Sequence, residues 1–347
     1  ETYKNRCHEN DILLAKEMEI LFSQKMDTYA SSEKRNEVLS TYADQCVHNI
    51  SGEQIRVDID TLVADLREKA DWYAQFIRNH EWVSDEEGRG WFNGYYDNSG
   101  RQVEGVIDGN VRMMLTGQVF SIMGNVADDA RVKSITESAD KYLYKKDIGG
   151  YRLNTDFKEE KFDLGRMFGF AYGEKENGAV FSHMTVMYAN ALYQRGFVRE
   201  GYKALYTLLG QAMDLEVSRM YPGIPEYFDA QGRGKYPYLT GAASWYMMTV
   251  VTQIYGFRGL WGDLMIEPKI LLEQFDTEGN FSAEIPYRGQ TFSVVYQNPG
   301  RKEYGKYQIG EIWIDGTLYK EANAKSVCIP FHEFEEQNTH TLRIVLK

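Results

Sequence analysis

Four short segments carry the side chains with which this sequence could do chemistry. The densest runs from Tyr172 to His183, with Glu174 and Glu176 in a loop bounded by Gly173 and Gly178, and His183 where an apolar helical pattern begins. A histidine beside the free N–H groups of a helix start suits an anion. A capping loop with a solvated histidine accounts for the same residues equally well. The second segment, Tyr238 to Trp245, places Thr240 and Gly241 ahead of small residues that open another helix and leave backbone N–H groups accessible. It is not a nucleotide phosphate loop, because no Gly-Lys-Ser/Thr follows. In the third, Tyr221 to Phe228, the prolines Pro222 and Pro225 stiffen a stretch that holds Glu226 and Tyr227 among aromatics, a surface suited to sugar. The fourth, Gly90 to Gly100, contains Trp91, Asn93, Tyr95, Tyr96 and Asp97, and taken alone it reads as a turn rich in glycine and asparagine.

The elements that must position these loops are mostly helical. Apolar spacing predicts helices over 9–26, over 58–78 with a stripe of Leu62, Leu66, Ala70, Tyr73 and Ile77, and over 111–123. Asp128 or Asp129 caps a further helix carrying Val132, Ile135, Ala139 and Leu143. Helices over 182–195 and 198–213 follow, joined tightly at Gly196, and a last one spans 240–255 before Gly256. After Pro268 the period becomes two: Phe292, Val294 and Tyr296 alternate with Thr291, Ser293 and Val295, and Ile312 and Ile314 precede the hairpin signal Asp315-Gly316. The fold class expected is mainly α with a small antiparallel β domain, divided at 1–265 and 266–347.

Composition narrows the partners. The chain has 347 residues, 43% hydrophobic and 26% charged, and 25 Tyr, 17 Phe and 6 Trp bring the aromatic share to 14%. A net charge of −12 argues against nucleic acid, and no apolar run is long enough to span a membrane. Cys7, Cys46 and Cys328 spell neither a disulfide framework nor a metal site, which suits a reducing, cytoplasmic setting.

Taken together the four segments are more specific than any alone. From Trp91 to Pro268 the chain resembles the C-terminal half of the cellobiose and cellodextrin phosphorylases, glycoside hydrolase family 94. The strings that carry the resemblance are Lys175-Glu176-Asn177-Gly178 with Phe181-Ser182-His183, and Tyr238-Leu239-Thr240-Gly241-Ala242-Ala243-Ser244-Trp245. Gly262-Asp263-Leu264 leading to Glu267-Pro268, and Arg288-Gly289-Gln290-Thr291-Phe292, extend it. Trp91-Phe92-Asn93-Gly94-Tyr95-Tyr96-Asp97-Asn98 and Tyr221-Pro222-Gly223-Ile224-Pro225-Glu226-Tyr227 are similar to the long-chain members, the cellodextrin and 1,2-β-oligoglucan phosphorylases.

The resemblance implies an (α/α)6-barrel catalytic domain and inverting phosphorolysis of a β-linked gluco-oligosaccharide, giving α-D-glucose 1-phosphate. Inorganic phosphate is co-substrate, with no metal or organic cofactor. It assigns His183, Thr240 and Gly241 to phosphate and Glu176 to the sugar at the cleaved bond. Glu226 and Tyr227 join as substrate-binding residues, Glu226 standing where shorter-chain relatives carry a glutamine near the phosphate. The family's general acid is an aspartate just before the helix matched by residues 9–26, where this chain has none, so that acid is expected upstream of Glu1. The chain then reads as a piece that works with the N-terminal part of its enzyme, in a family that is often dimeric. An inverting hydrolase, which needs a second carboxylate to activate water, and a sugar-binding module without activity are the rival readings.

Overall fold

The computed structural model describes residues 4–5, 8–22, 24–159, 161–221, 223–237, 240–334 and 337–347. Cys7, Pro222, Tyr238 and Leu239 lie outside the described residues. The chain divides into two compact units, Glu1–His80 and Glu81–Lys347.

In the first unit a strand β1 (Asp11–Ala15) pairs antiparallel with β2 (Gln54–Asp58), around helix α1 (Ser32–Cys46) and before helix α2 (Ile59–His80). The helix expected over 9–26 is therefore corrected: after β1 only a 3-10 turn (Lys16–Met18) and one short turn (Glu19–Phe22) remain. The cause is non-local. Ile12 and Leu14 face Val57 and Ile55 across the pair, and a β-branched partner some 43 residues away cannot be read in a helical window. α2 lies where periodicity predicts, and Asp58 starts it by accepting the Thr61 N–H at 2.9 Å. Only Leu62 and Ile77 of its expected stripe are half-buried, however. Leu66 and Tyr73 are exposed, while Lys69, Trp72 and Phe76 turn inward, with Lys69 paired to Asp65 at 2.5 Å.

The second unit opens with paired strands β3 (Trp82–Ser84) and β4 (Gly90–Phe92) and a hairpin, β5 (Gly105–Ile107) with β6 (Asn110–Arg112). That hairpin shortens the helix expected over 111–123 to α3 (Leu115–Met123). Its turn is Asp108-Gly109, with φ of 52° and 74°, so the two-residue signal was present there too. Helix α4 (Asp129–Tyr142) is capped by Asp128, and Val132, Ile135, Ala139 and Leu143 are all buried as expected. A two-residue strand β7 (Val180–Phe181) leads into α5 (Ser182–Gln194), and α6 (Val198–Met213) follows across Gly196, whose φ of 81° completes the α5 terminus. β8 (Tyr227–Phe228) lies between β7 and β9 (Gly234–Lys235). Helix α7 (Ala242–Thr249) starts two residues later than expected and widens into a π turn over Val250–Ile254.

Strands then dominate. β10 (Phe257–Leu260) and β11 (Asp263–Ile266) form one sheet with β16 (Val327–Ile329). β12 (Asn280–Tyr287), β13 (Gln290–Gln297), β14 (Ile309–Ile314), β15 (Thr317–Ala324) and β17 (Thr339–Leu346) form a five-stranded sheet in the order β12-β13-β17-β14-β15. Asp315 and Gly316 make the expected turn with φ of 49° and 82°. One pair departs from antiparallel: β13 and β17 run parallel, because the chain between them crosses through β16 in the other sheet. Helices combined with small, mostly antiparallel β-sheets are thus the architecture. No helix among the described residues is long and apolar enough to cross a membrane.

Candidate functional site

The loop before α5 is built around Asn177 and Asn154. Asn177 donates to the Phe170 carbonyl at 2.8 Å and accepts from Asn154, which is fully buried and itself accepts the Gly178 N–H at 2.7 Å. Gly178 has φ of 75°, and a side chain there would collide with the Tyr172 ring. The resulting turn aims Glu174 and Glu176. Glu174 accepts the Tyr227 hydroxyl at 3.1 Å, and burial with that carboxylate pushes the phenol upward in pKa. Glu176 places Oε1 3.6 Å from the Arg166 guanidinium, while its Oε2 is buried with no hydrogen-bond partner among the described residues.

β8 and the residue before it supply Tyr227 and Glu226. The Glu226 carbonyl accepts the Ser182 N–H, the first of α5, at 2.9 Å, and the Glu226 N–H donates to Lys235 and Tyr236 carbonyls. Tyr227 pairs across to Phe181 and is 4% exposed. The strand ends at Asp229, wholly buried, which accepts the Gln231 and Arg233 N–H groups and pairs with Arg233 at 3.0 Å. That tight turn sets the strand against the start of α5.

His183 is the second residue of α5, a helix start without a side-chain cap. Its ring lies 5.7 Å from the Trp245 ring, and a Cβ on Gly241 would sit 2.7 Å from its Cε1, so only glycine fits there. Thr240 accepts the Ala242 N–H at 3.1 Å, opening α7. Asn190 of α5 donates to Thr249 of α7 at 2.9 Å and holds the two helices in this alignment. Burial holds His183 below its ordinary pKa, and its Nε2 is buried without a partner among the described residues. A neutral imidazole beside two helix starts is equipped to bind an anion.

The structure thus brings His183 against Gly241 with Thr240 adjacent, sets Glu226 at the start of α5, and joins Tyr227 to Glu174, two residues before Glu176. The link from Glu176 to His183 runs through Glu174, Tyr227 and Glu226. Arg166 beside Glu176 and the Glu174–Tyr227 bond were not foreseen; both depend on contacts between distant loops, with no local pattern. Asp97, in contrast, is used up structurally. It accepts the Ser99 and Arg101 N–H groups and pairs with Arg101, and those bonds hold its carboxyl below the usual range. Asp85-Arg89 and Asp229-Arg233 repeat this Asp-x-x-Gly-Arg turn. Among the described residues no group of three or more His, Cys, Asp or Glu could hold a metal ion.

Residues 58–256 match the model of the Glycosyl hydrolase 94 superfamily, catalytic domain. The chain is similar to cellobionic acid phosphorylase of Neurospora crassa, 24% identical over 55% of this chain and 25% of that protein. It is also similar to solabiose phosphorylase of Paenibacillus borealis, at 22% over 74% of this chain and 33% of that one. N,N'-diacetylchitobiose phosphorylase of Vibrio proteolyticus matches at 27% over 65% and 28% respectively. The chain spans about a quarter to a third of the length of these relatives.

Proposed function

The chain belongs to the glycosyl hydrolase 94 superfamily, and on that premise we propose that it is part of an inverting glycoside phosphorylase. Its substrates are a β-linked gluco-oligosaccharide of the cellodextrin type and inorganic phosphate, and its products are α-D-glucose 1-phosphate and a chain shortened by one unit. Residues 1–265 contribute to an (α/α)6-barrel catalytic domain and 266–347 form a β domain, in a cytoplasmic enzyme whose Cys46 and Cys328, not joined in a disulfide, suit a reducing compartment. The relatives' names support the phosphorylase class.

In this reading a phosphate oxygen attacks the anomeric carbon as the glycosidic oxygen leaves with a proton. Phosphate is already an anion, so no second carboxylate has to activate a nucleophile, as hydrolysis by inversion would require. His183, Thr240 and Gly241 hold the phosphate in line. Glu176, Glu226 and Tyr227 hold the sugar. The single observation that carries the assignment is the His183 ring packed on Gly241, its buried Nε2 without a partner among the described residues. Asp97 is not given the role of proton donor in this reading, because backbone N–H groups hold its carboxyl ionised, a poor state for a general acid.

The test incubates the whole enzyme that contains this chain with cellotriose, with and without phosphate, and assays glucose 1-phosphate. Glucose 1-phosphate formed only with phosphate is the expected result. Equal sugar release without phosphate would make the enzyme a hydrolase and sink the reading.

A further inference from the structure

The contacts that run from Glu176 to Gly241 leave out the segment Gly90–Gly100, the aromatic loop that heads the second unit. Its tip carries Tyr95 and Tyr96, which are 43% and 46% exposed, and Phe162 nearby is 72% exposed. The three rings line one open cleft of about 610 Å³, with Asn98 and Asp163 as its polar members. Single exposed rings are ordinary, whereas several on one concave surface mark a binding site.

The tyrosines are fixed by their hydroxyls. Tyr96 donates to Glu81 at 2.7 Å and Tyr95 to the Leu164 carbonyl at 3.4 Å. Rings tethered in this way lose little freedom when a ligand stacks on them. No lysine or arginine is among the described lining residues, so nothing there recruits a phosphate or a nucleic acid. Aromatic faces with an amide and a carboxylate beside them match a pyranose, whose C–H face is apolar and whose edge carries hydroxyls.

Position gives the cleft its occupant. The segment that supplies Phe162 continues to Arg166, which lies 3.6 Å from Glu176. Four residues of chain reach at most about 14 Å, so the cleft borders the segment that flanks the candidate sugar site. We propose that this cleft binds the outer units of a β-linked gluco-oligosaccharide whose inner end lies at Glu176. The inference rests on the glycan reading of that site, and it makes Tyr95 and Phe162 determinants of chain-length preference.

Calorimetric titration of the whole enzyme that contains this chain tests it, with cellobiose and cellopentaose and with their β-1,2-linked counterparts, sophorose and sophoropentaose. A pentasaccharide of one linkage should bind more tightly than its disaccharide. Phe162→Ala should weaken that pentasaccharide about tenfold and leave the disaccharide unchanged, and Phe162→Tyr, which keeps a ring, should restore binding. Glu176→Gln should weaken both lengths. Loss of Phe162 without effect on the pentasaccharide overturns the cleft while the Glu176 site stands. An effect of Phe162→Ala with none of Glu176→Gln keeps the cleft and removes the sugar from Glu176. Absence of binding by every oligosaccharide overturns the proposal.

Discussion

At the scale of single residues, the site depends on two atoms that are buried without a partner among the described residues, Nε2 of His183 and Oε2 of Glu176. Each invites a ligand, and different ligands. His183→Ala in the whole enzyme should raise the phosphate KM at least about tenfold, the worth of one charge-assisted hydrogen bond, with the oligosaccharide KM little changed. Steady-state kinetics varying each substrate in turn would separate the two, and an unaltered phosphate KM would return His183 to a packing role. Glu176→Gln should instead lower kcat/KM by roughly ten- to a few-hundredfold, since a charged bond to the sugar is worth about 1.5–3 kcal/mol. Both residues stood out in the sequence because histidine and paired carboxylates at a helix start are chemically conspicuous. Arg166 and Asn154 did not, since their importance lies in what they touch.

At the scale of elements, the meeting of α5 and α7 decides the site. Both helix starts had sequence signals, but their contact at Gly241 had none, because glycine before a run of small residues also describes any loose loop. Gly241→Ala should press on the His183 ring, costing about 1–3 kcal/mol of stability by overpacking and raising the phosphate KM as His183→Ala does. Gly210, inside α6 with open space around it, is the control: Gly210→Ala should stabilise by about 0.5–1 kcal/mol. Chemical denaturation of the two variants checks the pair, and a harmless Gly241→Ala would mean that the ring has room to move. Elsewhere, helices with full-length apolar periods, such as α2, α4 and α6, lie where the pattern puts them. The segment 9–26 does not, since its partner strand β2 is remote in sequence.

At the scale of the whole molecule, one buried carboxyl ties the second unit together. Glu104 accepts the Gly94 and Met114 N–H groups, both at 2.6 Å, and so joins the aromatic loop to the start of α3. Burial, opposed by those two bonds, pushes its pKa up to about 8. A carboxyl whose folded pKa exceeds its unfolded one keeps a proton that the unfolded chain releases, so its stabilisation is complete below the ordinary carboxyl range and is lost as pH rises toward 8. Thermal melting between pH 5 and 8 should therefore show a falling Tm. In Glu104→Gln the fall should flatten, at a lower absolute Tm because an amide N–H₂ faces one of the two donors. An equal slope in the variant would assign the fall to the general self-repulsion of a chain carrying a net charge of −12.

What the sequence determined alone is whatever one segment can encode: period, caps, two-residue turns, and the residue types that can bind an anion or a sugar. The strand period of Phe292, Val294 and Tyr296, the turn at Asp315-Gly316, the Asp128 cap and the four chemical loops are all of this kind. The tertiary structure decided what depends on a partner far along the chain. It paired β1 with β2 against local helical spacing, ran β13 parallel to β17 through a crossover, and turned Leu66 and Tyr73 outward. It also bound Asp97 into a turn and set His183 on Gly241, 58 residues away. Burial and close packing are properties of neighbours in space, and a neighbour in space leaves no mark on either segment until both are folded.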